Sequence, residues 1–458
     1  MHPRNPYRTA PDFASLTDVY PALKPHLLTT PSGVSIDFQN ETSQRRLTEA
    51  LLQRDFNLSI NLPEDRLCPP VPNRLNYVLW IQDIVHATYL TEPSNPLRTI
   101  TGVDIGTGAS AIYPLLGCQS NVHWRFVATD IDGKSLHYAQ LNIHGNNLQS
   151  RMKLVKSEPG GPILRHVLTT TLQSPSLSTT EMSFDFTMCN PPFYSSKDDV
   201  QRSAEAKEYQ PNAVCTGADV EMITPGGEAA FVCKMVSESL ELRTRCRWYT
   251  SMLGKLSSLT EVVNVLHGNK IDNYAVTEFV QGQTRRWAIA WSFGDVHLPD
   301  SIARISSPSV HSLMPAHNTV QQTYPQSTSS LDHLSSVVAS ILSSVESVST
   351  RPLIPRDDET ASSALTGADV LVTAARDTWS RAARRRKMRE AVMQVDEELS
   401  VALVCRVACA ALEEDDPAAR ARGVAESLVL QCHWVKGSDR GLFESFASHL
   451  SRKVSAAL

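Results

Sequence analysis

The sequence predicts an α/β protein: a core of parallel strands wrapped by helices, with a second, smaller α+β module after it. Three observations carry that prediction. Strand and helix signals alternate from about residue 98 to 293, and such alternation implies parallel βαβ units. The first of those strands runs into a glycine-rich turn, Asp104-Ile105-Gly106-Thr107-Gly108. A stretch rich in Ser, Pro, His and Gln, 295–330, reads as a linker, and the texture changes beyond it.

The elements follow in order. Residues 1–85 form an N-terminal extension broken by prolines, with a short helix in PDFASLTDVYPALKPHL and another over 41–56, where Leu47, Leu51 and Leu52 recur at helical spacing. A longer amphipathic helix covers 71–90. In the core domain, 86–294, RTITGVDIG and HWRFVATDID read as strands, SLHYAQLNIHGNN as a helix and MKLVKS as a third strand. FDFTMCNPPF is a fourth strand that stops at two prolines. GGEAAFVCKMVSESLEL is a helix, RCRWYTSML a strand, and AVTEFVQGQ with RRWAIAWSF an antiparallel hairpin. In the module 331–458, helices are expected over 331–350, 366–399 and 440–456, and strands over 400–412 and 426–435. A second linker-like stretch, 351–363, interrupts it.

At about 150 residues per domain, 458 residues allow two or three domains. The chain is 41% hydrophobic and 20% charged, enough to bury a core. Lys and Arg number 43 against 48 Asp and Glu, for a net charge of −5. That excludes a uniformly basic nucleic-acid coat and leaves room for a local basic groove. The nine cysteines are scattered with no CxxC pair, and Cys405 and Cys409 have no neighbouring pair to complete a zinc site. A reducing compartment and no metal are expected. MHPRNPYRTAPDF has no apolar core of a secretory signal, and no run of about 18 apolar residues exists to span a membrane. A soluble, intracellular protein is expected.

Three motifs carry chemistry. In the first, Gly106 and Gly108 allow a tight turn after a buried strand and close approach of a ligand to backbone. The third glycine of a dinucleotide fingerprint is missing, and the turn alone also fits a ligand-free βα connection. The second is Asp130, at the tip of the next strand, where an acid can accept hydrogen bonds from both hydroxyls of a ribose. An aspartate there also suits a turn or helix cap, and Asp132 is the better capping candidate. The third and most specific is Asn190-Pro191-Pro192-Phe193 at the end of the fourth strand. Its plain reading is a strand stopper, since Pro-Pro cannot continue a sheet.

In this order, D-x-G-x-G, then an acid, then N-P-P-F resembles the S-adenosylmethionine-dependent amino methyltransferases that act on adenine N6. The resemblance narrows through MHPRNPY, RLNYVLWIQD, DIGTGASAIYPLLG, CNPPF, GGEAAFV, RWYTSMLGK and TEFVQGQTRRWAIAWSF. Over most of 1–293 the chain resembles the methyltransferase-like protein sixteen family, the U6 snRNA adenine-N6 methyltransferases, whose bacterial relative acts on 23S ribosomal RNA. The resemblance implies a Rossmann-like methyltransferase core, with the N-terminal extension as one wall of an RNA groove. By the family pattern Arg74 reaches the cofactor carboxylate, Asp104, Gly106 and Gly108 form the cofactor turn, Asp130 holds the ribose and Asn190 sits at the reaction centre. In the family the Asn side-chain oxygen and the carbonyl of the next Pro accept the two N–H bonds of the exocyclic amine. Pro191, Pro192 and Phe193 complete that site, and the aromatic ring stacks on the flipped base, worth roughly 1–3 kcal/mol. The family bears a threonine and a regulatory lysine in a loop after the third strand. Here the loop reads SEPGGPI (157–163) with Gly161 near the threonine position, so neither role carries over.

The RNA groove draws on Arg4 and Arg8 in the arm, Arg45 and Arg46 on a helix, and Arg243, Arg245, Arg247 and Lys255 around Trp248 and Tyr249. Basic residues interleaved with aromatics suit phosphate contacts and base stacking. The three alternating arginines also read as the solvent face of a strand. Of the family's next basic motif, Arg286 matches and Gln283 departs. The polar loop 194–217 is expected to be disordered without RNA, as a mobile substrate loop or a surface insertion. RAARRRKMR, with Arg384, Arg385, Arg386 and Lys387, reads as an RNA contact, a nuclear localisation signal or a solvated helix face. Residues 400–456 resemble the family's vertebrate-conserved region, whose fold is like a kinase-associated-1 domain and which grips the U6 internal stem-loop. There Leu442, Phe443, Phe446 and Leu450 stripe a helix, and Cys432 and His433 read as sheet residues.

The reading is a nuclear, also cytoplasmic, monomeric enzyme that methylates N6 of an adenosine in the ACAGA-type box of U6 snRNA, with spliceosomal proteins among its partners. S-adenosylmethionine is the methyl donor and S-adenosylhomocysteine the product. Two alternatives stand beside it. One is a protein glutamine-N5 methyltransferase, which usually has Tyr after the two prolines and lacks a basic C-terminal module. The other is a non-catalytic RNA-binding assembly factor with a vestigial pocket.

Overall fold

A computed structural model describes the chain except at residues 32, 94, 96, 171–183, 206–216, 283, 326–328, 354–366, 384, 386–400 and 413–426. A small antiparallel hairpin, β1 (Leu27–Thr30) and β2 (Gly33–Ile36), lies in the N-terminal extension. Seven strands then build the main sheet: β3 (Ile100–Ile105), β4 (Trp124–Asp130), β5 (Met152–Lys156), β6 (Phe184–Cys189), β7 (Cys246–Leu253), β8 (Tyr274–Gln281) and β9 (Thr284–Trp291). Their order is β5-β4-β3-β6-β7-β9-β8. The first five run parallel, and the β8–β9 hairpin closes the edge antiparallel. Every residue of β6 is buried, as expected for a parallel strand covered on both faces. Strand order reverses between β3 and β6, which opens a crevice at the carboxyl ends of the strands.

Packing explains two glycines in this sheet. Trp124, Phe126 and Phe186 form one aromatic cluster with ring centroids 5.0–6.0 Å apart. Gly102 on β3 and Gly117 on the helix Ile112–Ser120 lie against those rings, where a Cβ would collide. On the sheet's flank, helix Gly227–Leu242 contributes Val232, Met235 and Val236 to a core with Val262, Leu266, Tyr249 and Trp291. In the extension, Asn5 donates to Pro72 O and Asn76 Oδ1, and His2 and Arg4 engage Asp83, so the arm is tied to helix Val71–Thr88.

Two units divide the chain. The first is Met1–Val85, Ser94–Gly294 and Ile302–Pro315; the second is His86–Pro93, Asp295–Ser301 and Ala316–Leu458. Much of the described part of the stretch expected as a linker, 295–330, is therefore structured. Val310 and Met314 bury themselves in the first unit's core, and β10 (Thr319–Pro325) belongs to the second unit's sheet. With β11 (Val348–Pro352), β12 (Asp369–Ala374), β13 (Leu403–Leu412) and β14 (Ser427–Lys436), that sheet is antiparallel in the order β10-β14-β13-β12-β11. β12 corrects the helix expected from 366: Val370 and Val372 are β-prone, and the strand pairs with β13. Most of 375–399, expected as the rest of that helix, lies outside the described residues. Helices Leu331–Ser344 and Arg440–Ala457 supply apolar faces; Phe443, Phe446, Leu450 and Val454 recur at helical spacing in the core. Asp439 caps the second helix. Cys432 is a core residue and His433 pairs with Thr319, both within the sheet.

We expect Gly102→Ala to cost about 1–3 kcal/mol, because its methyl overlaps the Phe186 ring in a packed core. Urea unfolding measures it; a midpoint equal to the parent's would contradict the packing argument.

Candidate functional site

A cavity of about 640 Å³ opens at the carboxyl ends of β3, β4, β5 and β6. It lies wholly in the first unit. The turn after β3 forms its floor. Gly106 (φ 72°) and Gly108 (φ 64°) adopt left-handed conformations that a Cβ would strain. The space where a Cβ at Gly106 would project is empty to 4 Å, so a ligand can lie on the backbone there. The N–H groups of Gly106 and Thr107 both donate to Thr129 O at the tip of β4. Asp104 lies beneath this floor and is fully buried. Burial pushes its carboxyl up to about 7, against the lowering influence of the Thr107 hydroxyl and of Arg74.

Asp130 faces the cavity from the end of β4. It accepts from Gly108 N at 2.8 Å and from Asp132 N at 2.9 Å, while burial raises its carboxyl. Asp132 is the cap of helix Gly133–Gly145, as its position suggested. Arg66, almost fully buried, donates to it through Nε (3.1 Å) and Nη2 (2.8 Å), and Ser135 adds two bonds. Burial opposes ionisation, but Arg66 and Ser135 outweigh it and hold Asp132 at about 2. Arg74 lines the cavity and donates to the Tyr113 hydroxyl at 3.1 Å, with its guanidinium 5.6 Å from that ring.

Asn190, Pro191 and Pro192 form the wall after β6. The Asn190 Oδ1 atom is buried and has no hydrogen-bond partner. An unpaired buried acceptor costs about 1–3 kcal/mol, so its presence at the wall of a cavity points to a donor on a ligand. Phe193 lies beyond the cavity lining, its ring against Gly254 and the Arg286 guanidinium 5.4 Å from its centroid. Buried Glu228 fixes that wall by accepting from Gly254 N (2.7 Å) and Lys255 N (2.8 Å). Ten residues on, buried Glu238 accepts from Ile163, Leu164 and Arg165 and so fixes the end of the loop after β5. Lys234, on the same helix, donates to Gly160 O (3.3 Å) and Gly161 O (2.7 Å). The loop 157–163 is thus held from the helix and through its own backbone.

The basic residues expected at the groove scatter. Lys255 is exposed beside Tyr194, 5.5 Å from the ring centroid, and 3.5 Å from Asp199. Arg286 is near Phe193. Arg4 is engaged by Asp83, and Arg8 is exposed with a 3.4 Å bond to Pro3 O. Arg45 donates to Glu64 O and Arg66 O, and Arg46 pairs with Glu49; both brace the extension. Arg243, Arg245 and Arg247 lie away from the cavity. Cys246 pairs with Phe184 at the start of β6, so these arginines flank the sheet edge opposite Asn190. Arg243 and Arg245 lie in a 3-10 turn, and Arg247 is 3.7 Å from Asp185. Trp248 and Tyr249, expected to stack bases, are buried core residues. Arg385 is exposed; Arg384, Arg386 and Lys387 lie outside the described residues, as do Gln283 and 206–216 of the expected substrate loop. The start of that loop is a helix, Lys197–Glu205. Arg66, Glu221, Glu228, Lys234 and Glu238 were missed, since only the tertiary fold brings them to the site.

Among the described residues no group of three or more His, Cys, Asp and Glu side chains could hold a metal, and no helix is long and apolar enough to cross a membrane. The cavity does fit S-adenosylmethionine. It has an arginine for a carboxylate, an acid for a ribose, an open glycine turn and an unpaired buried oxygen at Asn190.

Sheet order, cavity position and an Asn-Pro-Pro-aromatic strand end place the first unit in the Rossmann-like class and are consistent with its S-adenosylmethionine-dependent methyltransferases. Comparison with known proteins makes this specific. An RNA methyltransferase family model, Methyltransf_10, matches residues 1–295, and the chain belongs to that family. A Schizosaccharomyces pombe relative, "U6 small nuclear RNA (adenine-(43)-N(6))-methyltransferase", is 35% identical over 420 residues, 92% of this chain and 95% of the relative. A Xenopus laevis relative, "RNA N(6)-adenosine-methyltransferase mettl16", is 42% identical over 297 residues, 64% of this chain and 52% of its own length. The match thus spans about half the length of that vertebrate relative. The crystal structure of the hMettl16 catalytic domain with the MAT2A 3′UTR hairpin 1 is 40% identical, with a TM-score of 0.56, covering 64% of this chain and 96% of that one. The N-terminal domain of human METTL16 in complex with SAH is 39% identical with a TM-score of 0.52, covering 64% and 99%.

The Arg66–Asp132 pair gives a pH signature. Because the folded pKa of Asp132 lies below its ordinary 3.8, at about 2, the stability it contributes is complete above about pH 4 and is lost as pH falls towards 2. Asp132→Asn keeps the cap but not the charge. We expect it to lower stability by about 1.5–3 kcal/mol at pH 6 and the gap to close by pH 2. Urea titrations of both proteins across pH check this.

Proposed function

We propose that this chain transfers a methyl group to N6 of an adenosine in the ACAGA-type box of U6 snRNA. The observation that carries the proposal is the unpaired Asn190 Oδ1 at the end of β6, beside a cavity suited to S-adenosylmethionine. When bound, the cofactor supplies a sulfonium-activated methyl group. The chain's own part is alignment. Asn190 Oδ1 and the Pro191 carbonyl accept the two N–H bonds of the flipped adenine's exocyclic amine and direct its lone pair at the methyl group. An amine conjugated to a purine is a weak nucleophile, so fixing this line of approach supplies much of the acceleration. Phe193 stacks on the base, and Arg286 covers that ring. Arg74 binds the cofactor's carboxylate, Asp130 its ribose, and the Gly106–Gly108 turn its backbone-facing side. The amine loses its proton to water after transfer, so no strong general base is needed.

The choice of U6 follows the S. pombe relative, whose similarity extends through both units. Under this reading the C-terminal part of the second unit, 316–458, is an RNA-gripping module of kinase-associated-1 type, and the extension 1–85 forms one wall of the groove with Arg4, Arg8, Arg45 and Arg46. Lys255 and Arg286 contact the RNA close to the reaction centre, and Arg243, Arg245 and Arg247 can reach only RNA that runs past the far edge of the sheet. The basic run around Arg385 contacts RNA or directs the chain to the nucleus, where U6 is processed. A monomer working beside spliceosomal proteins completes the reading.

We expect nucleoside mass spectrometry to find N6-methyladenosine in U6 snRNA incubated with the chain and S-adenosylmethionine. Asn190→Ala should lower the rate by about 10²-fold or more while binding S-adenosylhomocysteine normally. Cofactor binding without any N6-methyladenosine in U6 would overturn the proposal.

A further inference from the structure

Glu221 lies on the short helix Asp219–Met222, on the returning limb of the excursion that begins after Phe193. The base of that excursion is clasped by backbone bonds: Tyr194 N donates to Met222 O and Thr224 N to Tyr194 O, both at 2.9 Å. Lys197 and Asp219 add an ion pair across it. Glu221 fastens the limb to the rest of the fold with one oxygen. Its Oε2 accepts from Ala218 N and from Leu67 N, each at 3.0 Å. A latch needs no more than that. The other oxygen, Oε1, has no hydrogen-bond donor among the described residues and stands 3.7 Å from where a Cβ on Gly108 would be. Gly108 is the residue whose N–H holds Asp130, so Glu221 and Asp130 flank one turn and line one cavity. Arg66, the nearby cation, is committed to Asp132 and Asp65. Arg66 acts on Glu221 only through its field, so the two acceptors at this turn suit a ligand with two neighbouring hydroxyl donors.

We propose that Glu221 is a cofactor-contacting residue, whose free oxygen accepts a hydrogen bond from a ribose hydroxyl of the methyl donor. The inference rests on the cofactor reading of the cavity.

Glu221→Gln tests this with little damage to the latch. The carbonyl of glutamine must face the two backbone N–H donors, which leaves the NH2, a donor only, facing the cavity. Calorimetry with the full chain would titrate S-adenosylhomocysteine and its analogue lacking both ribose hydroxyls. Glu221→Gln should weaken S-adenosylhomocysteine roughly 10- to 100-fold, the range for a bond to a charged acceptor. It should bind the dideoxy analogue as the parent does, and its unliganded thermal midpoint should match the parent's. Equal affinity of both proteins for S-adenosylhomocysteine would overturn the inference. So would an equal loss for both ligands, which marks a purely structural role. A parent chain that binds no S-adenosylhomocysteine would overturn the methyltransferase reading, and this inference with it.

Discussion

A buried strand that ends in two prolines cannot pass its last side chain into the sheet. Proline lacks the N–H that a neighbouring strand would use, so the β6 ladder stops at Cys189 and Asn190 projects beyond it. Here that stop falls at the point where strand order reverses and the crevice opens. The result is a buried carbonyl oxygen without a donor, kept in place by the sheet behind it. Its preceding residue is fixed in turn: Cys189 N meets the Tyr77 hydroxyl at 3.4 Å, and Tyr77 shares a 2.6 Å bond with Thr250 on β7. Helix Val71–Thr88 therefore reaches through the core to the strand that carries the site.

The loops around the cavity are held by charged side chains of one helix, two of them buried carboxylates. Helix Gly227–Leu242 uses Glu228 for the Gly254–Lys255 wall, Lys234 for the carbonyls of Gly160 and Gly161, and Glu238 for the backbone of 163–165. Backbone donors satisfy each buried carboxylate, so they fix loop position without needing a counter-ion beside the cavity. Alignment of donor and acceptor is what a methyl transfer requires of its protein, and rigid loops on one helix suit that task.

The sheet, the glycine turn, Asp130, the Asp132 cap and the Asn-Pro-Pro-Phe strand end were legible because each rests on local backbone chemistry: positive φ, a helix cap, a missing N–H. Arg66 and Glu221 were not, because their partners lie 66 and 154 residues away in the chain. Trp248 and Tyr249 misled for a related reason. Aromatic residues beside arginines read as a stacking platform, yet alternation on a strand buried on both faces places both rings in the core. The stretch 295–330 read as a linker from its polar composition; a few apolar residues, Val310, Met314 and Tyr324, are enough to anchor its two halves in different cores. Relatives then narrowed the chemistry from a methyltransferase to one of an RNA family.

The central claim is that Asn190 Oδ1 awaits an exocyclic amine. The most direct measurement is a crystal structure of the chain with S-adenosylhomocysteine and a U6 oligonucleotide spanning the ACAGA-type box. The adenine N6 should lie within hydrogen-bond reach of Asn190 Oδ1 and of the Pro191 carbonyl, about 2.7–3.2 Å from each. An adenine seated elsewhere, or an Asn190 oxygen still unpaired with both ligands bound, would contradict it.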